Sequence, residues 1–467
     1  FQEKTPMPFL PRDQVASFHF TRCFYDLESK TAHLCYAFNG GAMTFEETIV
    51  FNNAPDIDDP ERLQALDSCL RLLHLAAGVS YYKAYIPDKI ETDCTVLTKA
   101  EADFFNLFYT AGLGEFSCRN RVEPHISFPY SETAETRPSP LKLQKRAAVP
   151  VGGGKDSIVS IETLKNAGFS PVLFSVGLPR PIRETIERAG LPSILVTRRI
   201  SPDLIALNEN AAQYGALNGH VPVTGVIAFI LMTAAVLYDF SDAVLSNERS
   251  ANVGNTEYDG RVVNHQWSKS LEFERAFRGL TQAVLPSFRY FSLLRPLSEL
   301  AIASLFSQTR KYDAVFTSCN KAFKLDERKR LDRWCADCDK CRFVFLALAP
   351  FMEKDRLVRI FGTDMLNDPA QTAGYEQLTG LSAFKPFECV GEIEESALAF
   401  LMLADKPEWR NDAVVRAVAD RVRERYGKKR EFLFEKIFSL SDNHLIPEEY
   451  ANVIGKFEKQ TRLGKRN

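Results

Sequence analysis

Hydrophobic and polar residues alternate over residues 15–51 with the two-residue period of β-strands. Three apolar runs carry this alternation, and each contains aromatic residues separated by even spacings. Turn-forming residues separate the runs at 26–30 and 39–41. The pattern predicts a β-meander at the start of the described sequence.

Two helices are predicted directly after the meander. Asp59 and Pro60 are typical of a helix start, and Gly78 of a helix end. Between them, a stripe of leucines has helical spacing: Leu63, Leu66, Leu70 and Leu73. His74 lies on this leucine-rich helix and is interpreted as a core residue. The second helix begins at Thr98, because Glu101 stands three residues later, as in a capping box.

From residue 149 onward, short apolar runs alternate with amphipathic segments. The predicted strands are residues 172–177, 193–196, 242–247 and 313–318. A helix is predicted from Pro181 to Ala189. Alternation of strands and helices at this spacing is typical of a parallel sheet with helices on both faces. We expect an α/β fold with a doubly wound parallel sheet, an α+β N-terminal domain and a helical C-terminal tail.

The composition excludes some classes of protein. The chain has 467 residues, enough for two or three domains, and its 58 Lys+Arg and 60 Asp+Glu give a net charge of −2. This balance argues against a nucleic-acid partner, because nucleic-acid binders usually carry a basic excess. The apolar run 221–238 contains Pro222 and is shorter than the about 20 residues of a membrane span. We expect a buried helix there, no membrane partner and a cytoplasmic location.

A glycine loop lies between a predicted strand and a predicted helix, where residues 151–157 read VGGGKDS. Glycines at a strand-to-helix turn let backbone N–H groups converge on an anion, and the helix dipole favours negative charge there. The spacing matches neither the Walker loop nor the dinucleotide fingerprint. The segment therefore predicts a phosphate site of another kind.

The loop resembles the PP-loop of the ATP pyrophosphatases, whose pattern is Ser-Gly-Gly-x-Asp-Ser. Gly152 stands where that pattern has its first serine, which removes one hydroxyl contact to pyrophosphate. The resemblance implies a PP-loop (adenine nucleotide alpha hydrolase-like) fold that cleaves ATP to AMP and pyrophosphate, with Asp156 helping to organise Mg²⁺. It also implies that ATP is bound by Gly152, Gly153, Gly154, Lys155, Asp156 and Ser157, and by Ser175 and Val176 at the end of the next strand.

Four cysteines fall close together in the sequence. Cys335, Cys338 and Cys341 have two-residue gaps, and Cys319 precedes them. Four soft thiolates suit tetrahedral zinc, so we expect a structural Zn²⁺ site. Some PP-loop enzymes carry an iron–sulfur cluster on cysteines, and that alternative stays open.

Polar residues follow the predicted strand at 242–247. Ligands of open parallel sheets bind beyond the carboxyl ends of the strands, so we expect substrate contacts from this stretch. The residues assigned to substrate are Asn247, Arg249, Ser250 and Asn252, with Trp267 from a second polar segment. Arg249 can pair bidentately with a carboxylate or phosphate. A surface loop is the alternative interpretation.

Wider segments resemble the family of UDP-N-acetylmuramoyl-L-alanyl-L-glutamate epimerases. They are residues 72–84, the glycine loop, 246–255, 334–341 and 385–396. The resemblance implies ATP- and Mg²⁺-dependent inversion of the terminal L-glutamate of a UDP-linked dipeptide, through an acyl-adenylate. The catalytic assignments are Asp156 for Mg²⁺ and Glu248, His265 and Lys269 for proton transfer, with Cys389 as a further proton-transfer candidate.

Residues 131–146 are polar, contain two prolines and lack periodicity, which predicts a domain boundary. We expect an N-terminal α+β domain over 1–135, an ATP-binding catalytic domain with the cysteines over 136–365, and a mostly helical region over 366–467. Alternatives are a deazaguanine synthase-like or tRNA-thiolating PP-loop enzyme and a catalytically inactive nucleotide-binding regulator. The first leaves the N-terminal region unexplained. The second should carry a basic RNA-binding domain, and the third would follow from Gly152.

Overall fold

The computed structural model describes residues 9–324, 327–382, 388 and 390–464. Within these ranges the chain forms two compact units. The first contains the described residues up to Ala147, together with Ile194–Ala243 and Glu257–Tyr290. The second contains Ala148–Ser193, Val244–Thr256 and the described residues from Phe291 onward. Each unit is built from separate segments of the chain, whereas the predicted domains are continuous ranges. The predicted domain limits at residues 135 and 365 therefore stay a prediction.

The fold is α/β, with a large, mostly parallel sheet and many helices. In the described residues its strands are β1 (Ser17–Asp26), β2 (Thr31–Phe38), β3 (Met43–Phe51), β4 (Lys89–Glu91), β5 (Ala147–Pro150), β6 (Val172–Val176), β7 (Ser193–Arg199), β8 (Asp242–Leu245), β9 (Thr256–Tyr258), β10 (Arg261–Val263) and β11 (Arg289–Ser292). The strand order of the large sheet is β11-β8-β5-β6-β7-β3-β2-β1-β4, and β9 pairs with β10 separately.

The α-helices of the described residues lie between and after these strands along the sequence. They are α1 (Pro60–Ala77), α2 (Val79–Tyr82), α3 (Lys99–Gly112), α4 (Gly114–Asn120), α5 (Lys155–Asn166), α6 (Arg180–Ala189), α7 (Pro202–Glu209), α8 (Ala211–Tyr214), α9 (Val223–Tyr238), α10 (Leu271–Val284), α11 (Glu299–Ser307), α12 (Asp339–Leu348), α13 (Lys354–Phe361), α14 (Thr372–Leu378), α15 (Ile393–Leu403), α16 (Ala413–Tyr426), α17 (Arg430–Phe438) and α18 (Ala451–Gly464). The helical tail predicted from about residue 405 is confirmed by α16, α17 and α18.

The meander predicted for the first unit is confirmed. Strands β1 and β2 are antiparallel, as are β2 and β3, and β3 continues antiparallel to β7 with Phe51 opposite Val196. Alternate residues of β3 are buried, which is the two-residue period of a half-buried strand. The hydrophobic alternation therefore determined both the strands and the face they bury.

The two helix starts predicted in this unit are also confirmed. The Asp59 carboxylate accepts a hydrogen bond from the Arg62 N–H at 2.9 Å, and Gly78 ends α1. Thr98 and Glu101 form the reciprocal capping box of α3. Local capping chemistry explains both boundaries, because each bond joins residues three positions apart.

The apolar run 221–238 forms the buried helix α9, as predicted. Phe229 lies among phenylalanines of α3 and α10, and Gly225 lets α9 approach Phe108, whose ring carbon would lie 2.5 Å from an added Cβ. Among the described residues, no helix is both long enough and apolar enough to span a bilayer.

In the second unit the strand–loop–helix order around the glycines is confirmed. Strand β5 pairs in parallel with β6, and α5 begins at Lys155. Helix α6 ends at Gly190, whose positive φ of 69° suits a glycine. Two successive parallel strands with a helix between them bring the loop to the carboxyl end of β5.

The strand predicted at 313–318 is wrong. Residues 311–315 form turns, in which the Val315 and Phe316 N–H groups both donate to the Tyr312 carbonyl. The Asp313 carboxylate is held by the Arg356 guanidinium at 2.7 Å. The apolar side chains of this run are buried from a turn rather than from a strand, and a short apolar run cannot distinguish the two.

Candidate active site

The glycine loop joins β5 to α5 and has the geometry that its sequence predicts. Gly153 has a φ of +77°, which favours glycine because a Cβ would be strained there. Gly154 is the residue before α5, with extended backbone angles of −93° and 173°. The amides of the first helical turn have no partners within a helix, so this loop presents N–H donors at a positive dipole end.

A second chain segment holds this loop in place. The Thr317 N–H donates to the Gly153 carbonyl at 2.9 Å. A Cβ added to Gly154 would lie 3.2 Å from the Ser318 Cβ, which is closer than most side-chain contacts, so a larger residue there would require a small shift of Ser318. Residue 152 is different, since an added Cβ there would meet no atom within 4 Å.

The serines predicted to bind ATP have different environments. The Ser157 hydroxyl is buried and donates to the Gly154 carbonyl at 3.2 Å, which strengthens the start of α5. The Ser175 hydroxyl, 3% exposed, has no hydrogen-bond partner among the described residues. Its strand end is next to the loop, because the Val151 N–H donates to the Phe174 carbonyl. A buried hydroxyl without a partner is a donor that a bound ligand can satisfy.

Lys155 forms a buried ion-pair cluster with two carboxylates. Its ammonium group is 2% exposed and contacts Asp156 at 2.5 Å and also Glu299, at the first residue of α11. Burial alone lowers the pKa of Lys155, but the charges of Asp156 and Glu299 outweigh it and raise that pKa. We call Lys155, Asp156 and Glu299 the buried lysine cluster. It keeps a positive charge fixed beside the loop.

Glu299 is the least stable charge of this cluster. Its pKa is raised to about 8, mainly by burial and also by the charges of Asp156 and Glu248, against the lowering effect of Lys155. Carboxylates thus outnumber the lysine that they surround. An excess of closely spaced carboxylates is the environment in which a divalent cation binds.

Glu395 supports the same place in the second unit. Its carboxylate accepts hydrogen bonds from the Glu299 and Leu300 N–H groups at 2.7 and 3.4 Å and so caps the N-terminus of α11. Burial raises the pKa of Glu395 to about 7. Glu395 lies on α15, so these bonds connect α15 to the start of α11, where Glu299 of the lysine cluster lies.

The polar stretch after β8 is bonded mainly to the protein itself. The Arg249 guanidinium donates to the carbonyls of Lys436, Ile437 and Ser439, at the C-terminal end of α17, each at 3.2 Å. This arrangement is a helix C-cap by a cation, and it engages the side chain that the sequence assigns to an anionic ligand.

The neighbouring residues of this stretch are buried. The Asn247 side-chain amide donates to the Ser292 hydroxyl at 3.0 Å, and Ser250 donates to the Glu248 carboxylate at 3.3 Å. Arg295, 1% exposed, donates to the Glu248 backbone carbonyl at 2.8 Å. Asn252, by contrast, is exposed at the end of the same short helical turn. Arg295 and Ser250 thus hold the backbone and the carboxylate of Glu248, whose charge raises the pKa of Glu299.

The four predicted metal-binding cysteines come together. The Sγ atoms of Cys319, Cys335, Cys338 and Cys341 lie within 4.8 Å of one another. Their measured separations include 4.0 Å between Cys319 and Cys338, and 3.4 Å between Cys338 and Cys341. Four thiolates at such distances can surround one tetrahedral ion, since the S–S edge of a zinc site is about 3.8 Å. The donor set fits zinc.

The first unit holds a separate group of ionisable residues around His265. The His265 Nδ1 bonds to the Glu115 carboxylate, and the His220 Nδ1 lies 3.5 Å from the same carboxylate oxygen. The two imidazole rings are 4.7 Å apart. We call Glu115, His220 and His265 the imidazole cluster.

The charges of the imidazole cluster are unequal. The pKa of His220 is lowered to about 4, mainly by burial and in smaller part by the charge of His265. Burial raises the pKa of Glu115, but hydrogen bonding to His265 and the imidazole charges outweigh this effect, so the pKa is lowered overall. A carboxylate that orients one imidazole is a common arrangement for proton transfer.

The other two residues predicted from this segment have structural contacts. The Trp267 indole N–H donates to Glu272 at 2.8 Å, and its ring packs against Phe108 and Phe273. The Lys269 ammonium lies 3.5 Å from the Gln266 side-chain oxygen and contributes to the low pKa of His220. Cys389 lies outside the described residues.

Sequence reasoning missed residues that the fold brings to these clusters. Glu299 is 144 positions from Lys155, and Glu115 is 150 positions from His265. Glu299 begins a helix after Ser298, which is an ordinary capping signal, and Glu115 lies in the first turn of α4. Neither local pattern distinguishes a helix-stabilising carboxylate from a site residue.

The fold and these side chains define an α/β protein with a glycine loop at a helix N-terminus and a four-cysteine group. Two family models match the chain: the MurL N-terminal domain over residues 10–293 and the MurL C-terminal domain over residues 315–432.

Curated relatives extend this similarity over nearly the full chain. Three proteins, from Xanthomonas oryzae pv. oryzae, Salinispora tropica and Micromonospora sp., are each 42% identical to it. The alignments cover 94%, 97% and 96% of this chain and 97%, 99% and 100% of the respective relatives. Each relative is named UDP-N-acetyl-alpha-D-muramoyl-L-alanyl-L-glutamate epimerase. The chain belongs to the MurL family.

Proposed function

We propose that this protein epimerises the terminal L-glutamate of UDP-MurNAc-L-Ala-L-Glu to D-glutamate, using ATP to form an acyl-adenylate and releasing AMP and pyrophosphate. The observation that carries the reaction is the 42% identity over nearly the whole chain to relatives named for this epimerase. The glycine loop supports the use of ATP, because its geometry suits a phosphate group.

ATP activation has a physical reason in this reaction. Removing the Cα proton beside a free carboxylate would place a second negative charge next to the first. Adenylation removes the carboxylate charge, so the carbanion can delocalise as an enolate. Each unit by which adenylation lowers the pKa of the Cα–H group lowers the free energy of its ionisation by about 1.4 kcal/mol. Reprotonation on the opposite face and hydrolysis of the acyl-adenylate complete the epimerisation.

The loop and its neighbours are the proposed ATP site. The backbone of Gly152, Gly153 and Gly154 would bind the phosphates at the start of α5, in a PP-loop manner. The Ser175 hydroxyl, which has no hydrogen-bond partner among the residues that the structure describes, supports a ligand beside this loop. Lys155 would act mainly by its fixed charge, since Asp156 and Glu299 already surround its ammonium group.

Two metal ions belong to the proposal. Mg²⁺ would be held with help from Asp156, where it would neutralise phosphate charge. The four cysteines would hold structural Zn²⁺. Metal analysis of the purified protein should find zinc, and iron with acid-labile sulfide would instead support the cluster alternative.

Three residues are proposed for proton transfer: Glu248, His265 and Lys269. His265 is favoured by its pairing with Glu115, because a carboxylate fixes the tautomer of the ring and supports its protonated form. Glu248 is buried at the end of a strand, where ligands of parallel sheets bind.

One assay tests the proposal. The protein is incubated with ATP, Mg²⁺ and UDP-MurNAc-L-Ala-L-Glu, the product is hydrolysed, and the glutamate is analysed on a chiral column. D-glutamate together with AMP is expected, and neither product should appear without ATP. Absence of both products in the complete reaction would overturn the proposal, whereas D-glutamate formed without ATP would overturn only the adenylation step.

A further inference from the structure

Three sulfur and nitrogen side chains meet in the first unit, away from the residues assigned above. Cys23 lies on β1, His74 on α1, and Cys94 follows β4. Their candidate ligand atoms all lie within 4.8 Å of one another. The residues are 20 or more positions apart in sequence, so the fold alone creates this group.

The orientation of His74 is fixed by a hydrogen bond on its other ring nitrogen. Its Nε2 lies 2.8 Å from the Cys35 backbone carbonyl, which can only accept, so Nε2 carries the proton. Nδ1 is then the unprotonated nitrogen, and it lies 3.7 Å from the Cys94 Sγ. Histidine ligands of metal ions are typically held in this way, with the far N–H donated to a carbonyl.

Packing holds the ring in this position. His74 is fully buried, between Phe20 at 5.3 Å and Tyr36 at 4.9 Å between ring centres. The Tyr36 hydroxyl donates to the His74 carbonyl at 3.1 Å. The sequence interpretation of His74 as a core residue is correct for its burial, but Nδ1 faces two thiols as well.

We propose that Cys23, His74 and Cys94 form a second metal site, which takes a soft divalent ion of the zinc class. In a tetrahedral zinc site the thiolate–imidazole edge is about 3.5 Å, given Zn–S of about 2.3 Å and Zn–N of about 2.0 Å. The observed 3.7 Å between Cys94 and His74 agrees with that edge. Three protein ligands leave a fourth position for water.

The proposed site is accessible from one side. Cys94 is exposed and Cys23 is half-buried, so an ion has a path to the buried imidazole of His74.

The test compares metal content of full-length variants under reducing, anaerobic conditions. Chelated protein is loaded with excess Zn²⁺, desalted and measured by elemental analysis. The wild type should retain about one equivalent more than Cys94→Ser and Cys23→Ser, because a site loses its ion when a thiolate is removed. Cys118→Ser, which changes a half-buried cysteine outside all three groups, should match the wild type. The four-cysteine group is the same in every variant, so its ion cancels in the comparison.

A second measurement does not depend on the variants folding. Zn²⁺ should slow alkylation of Cys94 in the wild type by about tenfold or more, followed by peptide mass spectrometry. Equal zinc content in wild type and Cys94→Ser, or an unchanged alkylation rate, would overturn the proposal. These readouts are independent of epimerase activity, so failure of the proposed function would leave them unaffected.

Discussion

The buried lysine cluster and the imidazole cluster both pair a buried charge with two partners, but the central charge is positive in the first and negative in the second. In the first, one ammonium group that is 2% exposed has two carboxylate partners. In the second, one carboxylate has two imidazole partners, whose side chains are 16% and 27% exposed. The first arrangement fixes a charge, because its lysine has a raised pKa. The second can exchange protons with solvent, because both rings are partly exposed. His220 has a pKa lowered to about 4, which leaves His265 as the proton-transfer candidate of this cluster.

The comparison teaches that burial alone does not identify a catalytic acid or base. Lys155 is more buried than His265, but its partners hold it protonated. The half-buried histidines keep contact with solvent, from which protons are exchanged. Substitutions in the lysine cluster should therefore affect binding and stability, and those in the imidazole cluster should affect proton transfer.

The largest effect is expected from Asp156→Asn. Loss of this charge removes the proposed Mg²⁺ contact and one partner of Lys155, so AMP formation should fall by about 10³-fold. Circular dichroism should show a folded protein, because the amide keeps the shape of the side chain. Turnover near the wild-type rate would contradict the role of Asp156.

Glu299→Gln tests the protonation of Glu299 in the buried lysine cluster. The pKa of Glu299 is raised from 4.5 to about 8, so the folded chain binds this proton more tightly than the unfolded chain. As the pH rises from 6 to 9, the unfolding free energy of the wild type should therefore fall by about 3 kcal/mol more than that of Glu299→Gln, measured by urea unfolding. Glu353→Gln is the matched control, because its pair with Arg310 is exposed and should contribute less than about 1 kcal/mol. The same pH dependence in the wild type and in Glu299→Gln would contradict the raised pKa of Glu299.

His265→Gln addresses the imidazole cluster. If His265 transfers the substrate proton, kcat should fall by about 10²-fold with little change in KM for ATP. His220→Gln is the matched control, because His220 shares Glu115 but has a pKa lowered to about 4 and is neutral near pH 7. Equal losses in the two variants would indicate a structural role for both rings.

The pH dependence of stability tests the same cluster without substrate. His220 has a pKa of about 4 in the folded chain, below its ordinary value of 6.5. The unfolded chain therefore binds the proton more tightly, and stability is lost as pH falls from 6.5 towards 4. Between pH 7 and pH 5 the wild type should lose about 2 kcal/mol more than His220→Asn, measured by urea unfolding. Parallel losses in both proteins would exclude this origin.

The smallest effect is expected from Gly152→Ser, which restores the serine of the PP-loop pattern. An added side chain has room at this position, so the protein should fold normally. One new hydroxyl donor is worth about 1 kcal/mol, so ATP should bind a few times more tightly in calorimetry. Gly153→Ser is the contrast, since its φ of +77° and its nearness to the Pro181 backbone should cost about 1–3 kcal/mol of stability. Weaker ATP binding by Gly152→Ser would argue against a phosphate at this loop.

Local signals were sufficient for much of the fold. The caps at Asp59 and Thr98, the meander and the strand–loop–helix order around Gly153 each depend on residues close in sequence. The turn at 311–315 was missed because an apolar run buried from a turn has the composition of a strand.

Long-range pairing set the limit for the site. The cysteines were found because their spacing itself carries the chemistry. Glu299 and Glu115 were not found, because each looks like an ordinary first-turn carboxylate until folding brings it to Lys155 or His265. Arg249 shows the reverse case, since a cation placed after a strand became a helix cap.

The contacts of Thr317 and Ser318 with the glycine loop connect the four-cysteine group to the loop that is proposed to bind phosphate. Cys319 directly follows Ser318 in the sequence. Two residues of extended backbone span about 7 Å, so Cys319 can lie no farther than this from Thr317, whose N–H is bonded to Gly153. Over so short a segment, Cys319 can move little without moving Thr317. Oxidants or chelators that disperse the four sulfurs should therefore loosen the loop, and thiol stress should weaken binding at the proposed phosphate site.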